Sequence, residues 1–177
     1  LKVVFAGASA VGKTSIIQKQ LHNFFDDQGI YPTLTAAYVQ HELDQNTVLN
    51  IWDTAGQERF DSMTPIYFKG SDVIIFVFSI VDFYSFERVE FYFKMAQERA
   101  PDAQLYLLGN KHDLDGQKVD QDCIDSMIQK YNAKYFAVSA KTGQNLKELF
   151  RDIGSSNEEL DKQQLVTVHE NKPKDKC

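Results

Sequence analysis

Cysteine is scarce in this chain: two in 177 residues, Cys123 and Cys177, far apart and without metal-ligand spacing. A disulfide framework is therefore disfavoured, and a reducing compartment fits better. Positive charge is also short, with 19 Lys and Arg against 25 Asp and Glu and a formal net charge of −6. Nucleic acid attracts stripes of Lys and Arg, so that partner class is set aside. A single nucleotide needs only a local positive field and stays open. The most extended apolar run, Val73 to Val81 broken only by Ser79, has about half the ~20 residues a membrane-spanning helix requires. No basic N-terminus leads into an apolar stretch, so no secretory signal is read. What remains is ordinary: 43% hydrophobic and 25% charged residues, which disfavours disorder and fibrous architectures. The length suits one core.

Short apolar, β-prone runs alternate with helix-like segments. Lys2 to Ala6 reads as a buried strand, followed by a Gly-rich turn and a helix from about Lys13 to Asn23. Tyr38 to Leu43 and Val48 to Trp52 flank Asp44-Gln45-Asn46, which is turn chemistry, so the pair reads as an antiparallel hairpin. Val73 to Val81 and Leu105 to Leu108 are nearly continuous apolar runs, as in strands buried on both faces; Lys134 to Val138 is a shorter one. Phe86, Val89, Phe93 and Ala96 recur at helical spacing, and Asp120 to Tyr131 and Asn145 to Ile153 are further helices. Such alternation predicts an α/β fold with a mainly parallel sheet covered on both faces. We expect a domain over 1–154 and, over 155–177, the end of the last helix and a polar tail.

Gly7-Ala8-Ser9-Ala10-Val11-Gly12-Lys13-Thr14 fits G-x-x-x-x-G-K-T, with Ser15 following. Glycines let the backbone wrap so that successive amides point at phosphate oxygens, and the helix that follows adds its positive end. Lys13 supplies a point charge for the terminal phosphates, and the Thr14 hydroxyl suits magnesium. By luck such a match arises in roughly one chain per hundred of this length. Asp53-Thr54-Ala55-Gly56-Gln57 follows directly on a strand. Asp53 there can hold a magnesium-bound water, Gly56 lets an amide approach the terminal phosphate, and Gln57 can orient a water. Asn110-Lys111-His112-Asp113 follows another strand. The Asp113 carboxylate can accept hydrogen bonds from N1–H and the 2-amino group of guanine, which adenine cannot offer together. Ser139-Ala140-Lys141 can present a backbone amide to guanine O6.

With these segments in this order, the chain resembles a small GTPase of the Ras superfamily, a P-loop NTPase, from Leu1 to about Ile153. The run Ile51 to Phe60, with Tyr67-Phe68-Lys69-Gly70 and Ser85-Phe86-Glu87, is most similar to the Rab subfamily. The resemblance implies a six-stranded, mostly parallel sheet with one antiparallel strand. It implies GTP, GDP and Mg²⁺ as ligands, with Thr33 as a switch I magnesium ligand present only when the terminal phosphate is, and Gly56 and Gln57 in switch II. Tyr38, Trp52 and Tyr67 match the aromatic triad that displays nucleotide state to effectors. By offset from Thr33, the family's ring-stacking aromatic falls on Asp26; Phe25, one residue earlier, takes the role if the loop holds an extra residue. Tyr31 would close over the phosphates.

The activity so implied is hydrolysis of GTP by in-line attack of water, slow without help because no arginine finger can be assigned. An exchange factor, a GTPase-activating protein and effectors are the implied partners of a monomer. The resemblance implies lipids on cysteines at the extreme C-terminus, which would give peripheral membrane attachment and recruit a GDP-dissociation inhibitor; Cys177, a lone final Cys outside any C-a-a-X motif, is either the remnant of such a signal or an unmodified end. The chain would then be cytoplasmic, cycling onto the cytosolic face of endomembranes, with Thr35 to Tyr38 and Ser62 to Tyr67 most like endocytic Rabs. Two rivals stay open: a non-hydrolysing scaffold of the same fold, and a P-loop kinase, for which the scattered arginines give no lid. Phe83, Tyr84, Phe91 and Tyr92 exceed what one helix face buries, so a partner surface is a further possibility.

Overall fold

A computed structural model of the chain describes residues 1–27, 33, 36–56 and 64–155. Its strands and helices alternate as β1 (Lys2–Ala6), α1 (Lys13–His22), β2 (Ala37–Glu42), β3 (Val48–Asp53), α2 (Thr64–Phe68), β4 (Val73–Ser79), α3 (Phe83–Arg99), β5 (Gln104–Asn110), α4 (Gln121–Tyr131) and β6 (Lys134–Ala137). Residues 146–155 form a further helix, α5. The sheet has six strands in the order β2-β3-β1-β4-β5-β6. β2 pairs antiparallel with β3, and the other pairings are parallel.

Both faces are covered, which is why the central strands read as unbroken apolar runs. Along β1, Val3 and Phe5 enter one core with Ile16 and Ile17 of α1 and Leu149, Phe150 and Ile153 of α5. Their neighbours Val4 and Ala6 point the other way, into a core with Phe68 of α2, the α3 stripe Phe86, Val89, Phe93 and Ala96, and Ile124 of α4. The alternation is the two-residue period of a strand with helices on each side. β4 is buried at all seven positions.

The ends of elements differ from expectation where a neighbour decides them. β2 begins and ends one residue early because Leu43 turns away, its N–H donating to Thr47 O at 2.9 Å. β5 extends past the apolar core to Gln104 and Asn110 because β4 offers it partners over that whole length. β4 stops at Ser79, where Asp82 N–H turns back to Ser79 O at 3.0 Å. α1 ends at Asn23, which adopts a left-handed conformation (φ 51°) and returns its N–H to Lys19 O. The short helix α2 was not expected, since its five residues carry too little periodicity to read. Ser155, where the end of the last helix is expected, is helical and donates its hydroxyl to Asp152 O.

Candidate nucleotide and cation site

Parallel strands deliver all their carboxyl ends to one edge of the sheet, the usual place for a ligand in such folds. Besides the turn after β4, the loops that leave that edge are residues 7–12 after β1, 54–56 after β3, 111–114 after β5 and 138–143 after β6. They carry the chemistry-bearing residues singled out above.

The first loop is shaped by positive φ at Gly7 (144°), Ala10 (61°) and Gly12 (99°). A Cβ at Gly7 would overlap the Val77 carbonyl of β4, and one at Gly12 the Asn110 side chain. Val11 is buried, while Ser9, Ala10 and Ser15 stay accessible on the loop. Lys13 is buried and folds its ammonium back onto the carbonyls of Gly7 and Ala8, at 2.8 and 2.9 Å. Burial lowers its pKa to about 8, against the opposing pull of the Asp53 charge. Gly56 lies so close that a Cβ there would meet both Ala8 O and Lys13 Nζ.

Asp53, at the end of β3, is buried, and burial raises its pKa against the Thr14 hydrogen bond and the Lys13 charge. Its Oδ2 accepts from the Thr14 hydroxyl at 2.5 Å, and that hydroxyl lies 2.9 Å from Thr33 Oγ1. Its Oδ1 is buried without a hydrogen-bond partner among the described residues. A buried ammonium pushed towards neutrality thus sits beside a buried carboxylate pushed the same way. Phosphate oxygens would reverse the first effect and a divalent cation the second. Two hydroxyls and one carboxylate, whose Oδ1 is left over, form an all-oxygen donor set, which suits magnesium. The residues present fit the group.

The loops after β5 and β6 build the second half of the site. Asn110 is buried and bridges them: its Nδ2 donates to Val11 O at 2.8 Å and its Oδ1 accepts from Ala140 N–H at 3.0 Å. The signal for it was present in the motif, but its bridging role was not read. The Ala140 amide expected to face guanine O6 is thereby already shared with Asn110. Ser139 donates its hydroxyl to Asp113 Oδ1 at 2.6 Å and accepts from Thr142 N–H at 3.1 Å. A carboxylate has roughly four acceptor positions, so Asp113 keeps capacity for a ligand. Lys111 has a left-handed backbone (φ 69°), and burial lowers its pKa against the charges of Asp82 and Asp113.

Between these loops lies a cleft of about 220 Å³ whose lining includes Ala10, Phe25, Asn110, Lys111, Asp113 and Lys141. Phe25 lines the same cleft as Asp113. Asp27 and Leu114 line the cleft as well and were not read from the sequence. Gln57 and Tyr31 lie outside the described residues.

Outside the cleft, Tyr38 and Trp52 stand 5.2 Å apart and Trp52 and Tyr67 5.6 Å apart, so β2, β3 and α2 present the three rings together. Tyr38 is about half exposed and donates to Asn50 Oδ1 at 2.7 Å. Of the aromatics on α3, Phe83, Tyr84 and Phe91 are exposed. Tyr92 belongs to no such surface: it is 2% exposed and packs in the core with Phe93.

The Ras-family model matches residues 2–159 of this chain. Over 163 residues the chain is 37% identical to the mouse "Ras-related protein Rab-7b", covering 88% of this chain and 81% of the relative. The human protein of that name is 36% identical over the same length. The "GTP-binding protein ypt5" of Schizosaccharomyces pombe is 37% identical over 159 residues, covering 86% of this chain and 75% of the relative.

Proposed function

Because the chain belongs to the Ras family, as a small GTPase of the Rab subfamily, we propose that it is a switch whose state follows the terminal phosphate of GTP. The observation that carries this reading is the Thr14–Asp53–Thr33 cluster, where one hydroxyl contacts both a buried carboxylate and the lone described residue of its loop. Thr14 and Thr33 hydroxyls, with Asp53 through water, would hold Mg²⁺, which when bound would neutralise charge on the phosphates. Lys13 would leave the Gly7 and Ala8 carbonyls for the terminal phosphate oxygens. Loop amides around Ala10 to Lys13 would cradle the chain of phosphates. Gly56, without a side chain, would let its N–H meet the terminal phosphate, and Gln57 would orient the attacking water. Loss of that phosphate would free Thr33 and Gly56 together, a ligand-controlled change of order.

Guanine would enter the cleft with Asp113 accepting from its N1–H and 2-amino groups. Phe25 and the Lys111 stem would flank the ring, and Ala140 or Lys141 would offer an amide to O6, at Ala140 as a bond shared with Asn110. Intrinsic turnover would be slow, and exchange factors, activating proteins and effectors would set the cycle; the ring triad Tyr38, Trp52 and Tyr67 is the effector surface we assign. Action on the cytosolic face of endomembranes, endosomes first, and lipid attachment near Cys177 with a GDP-dissociation inhibitor as carrier, complete the reading. Among the described residues no helix is long and apolar enough to cross a membrane.

The test is single-turnover phosphate release from GTP, with ATP as the rival substrate, in the wild-type chain and Gln57→Leu. The expected result is slow release from GTP alone, much slower still in the variant, with GDP retained by both. Release from ATP at a similar rate, or unchanged turnover in Gln57→Leu, would contradict the assignment.

A further inference from the structure

The cleft that would take the base has two kinds of wall. One side is anchored. Asn110 is locked between the loop after β1 and Ala140, and the turn after β6 is tied by Ser139 N–H to Gln144 O, Gly143 N–H to Ser139 O and Asn145 Nδ2 to Ala137 O. The other side is the segment that follows α1, from the Asn23 cap to Asp27. Phe25 and Asp27 both tie that segment to the anchored side. Phe25 packs against the core that contains Ile17, Ala140 and Leu146. Beyond it, at the rim, the Asp27 carboxylate and the Lys141 ammonium form an ion pair at 3.4 Å, with side chains 65% and 53% exposed. Both partners line the cleft.

We propose that the Asp27–Lys141 ion pair is a latch at the mouth of the base cleft, which slows nucleotide release by holding the segment after α1 against the turn after β6. The inference rests on the guanine-nucleotide reading and adds Asp27 as a positioning residue of that site. A bound ring sits between the two walls, so it leaves when they part. Parting them separates the pair, and the separation belongs to the barrier for release while leaving the bound state's contacts to the base unchanged. The pair is largely exposed, so its effect is modest and sensitive to salt. Such a contact suits a gate, because it costs little to open when a partner supplies a competing charge. The nearby acid–base arrangement does not duplicate it: Lys111, on the anchored side, takes its charge partners from Asp82 and Asp113.

The test is dissociation of radiolabelled GDP from the full chain with Mg²⁺, chased by unlabelled GDP, at low and high ionic strength. Asp27→Asn and Lys141→Gln should each speed release roughly two- to fivefold at low salt. The double variant should be no faster than the faster single, and the swap Asp27→Lys with Lys141→Asp should return the rate towards wild type. Wild-type release should rise with salt towards that of the single variants. Thermal melts of all forms with GDP bound separate a latch from a folding defect, and the swap keeps the test decisive if one single variant folds poorly. Release indifferent to Asp27, additive effects of the two substitutions, or a salt-independent rate overturns the latch while leaving the nucleotide reading intact. A chain that retains no GDP at all overturns both.

Discussion

At Gly7 the backbone angle and the neighbour act together. Its φ of 144° is one that L side chains avoid, and the Val77 carbonyl occupies the space a Cβ would need. That carbonyl belongs to β4, which is buried throughout and cannot step aside. Gly7→Ala should therefore destabilise the whole domain by more than about 2 kcal/mol, read as a lower denaturant midpoint with unchanged slope. A shift under half that would mean the loop relaxes independently of the sheet. Asp113 offers the complementary case, where little folding energy is at stake because the side chain is exposed. Two hydrogen bonds from guanine to a carboxylate are each worth about 1.5–3 kcal/mol. Asp113→Asn replaces acceptor positions with an amide donor, so guanine affinity should fall roughly 10²- to 10⁴-fold. Xanthine, which carries a carbonyl where guanine has its 2-amino group, should bind the variant better than guanine does. Equilibrium titration of GDP and xanthosine diphosphate against both proteins checks this, and a loss under tenfold would remove Asp113 from base recognition.

The edge strand β2 is the most exposed strand, yet it is fastened at both ends. Tyr38 meets Trp52 at one end, and at the other His41 sets its ring edge-on to Phe150 of α5 at 6.3 Å. Burial lowers the His41 pKa below its ordinary value. Above pH 6.5 the ring is neutral both folded and unfolded, so it adds no pH dependence. Below that, the unfolded chain takes up a proton that the folded chain resists, and stability falls until the folded pKa is passed. His112 is lowered by burial too, so it contributes in the same direction. His41→Gln should flatten part of the stability loss between pH 7 and pH 5, measured by urea unfolding. An unchanged profile would place the effect on His112 or elsewhere. At this scale the sequence was most readable where an element answers to its own pattern. The alternation in β1 and the stripe on α3 both followed from side chains that must be buried. Ends were less readable, because the length of β5 depends on β4 and the end of β2 on the Leu43 turn. Motif residues were legible because phosphate, magnesium and guanine demand particular groups. Asp27 and the bridging role of Asn110 were not, since a contact between distant loops leaves no local trace.

At the scale of the whole molecule, the candidate site gathers at one edge of the sheet. Four loops converge there, and each springs from a strand that runs through both cores, so the site and the fold share the same supports. Their charges are mismatched without a ligand: the Lys13 ammonium and the Asp53 carboxylate are both pushed towards neutrality by burial, and Asp53 Oδ1 has no partner among the described residues. Binding of guanine nucleotide with Mg²⁺ should relieve these strains together and stabilise the domain as one unit. With ligand at about a thousand times its dissociation constant, mass action adds about 4 kcal/mol. For a domain of this size each kcal/mol raises Tm by about 2–4 °C, which predicts a rise of roughly 8–16 °C. GDP with Mg²⁺ should produce that shift in a calorimetric scan, GDP with a chelator a smaller one, and ATP none. The melt should stay a single transition throughout, because the phosphate, cation and base contacts are held by loops that spring from β1, β3, β5 and β6 of one sheet. A shift confined to a minor early transition would mean instead that the loops order on the ligand while the sheet is indifferent to it. The cooperative outcome would explain how a change as small as one phosphate reaches the surface where Tyr38, Trp52 and Tyr67 meet. Trp52 and the ligand-side Asp53 are adjacent residues of the same strand.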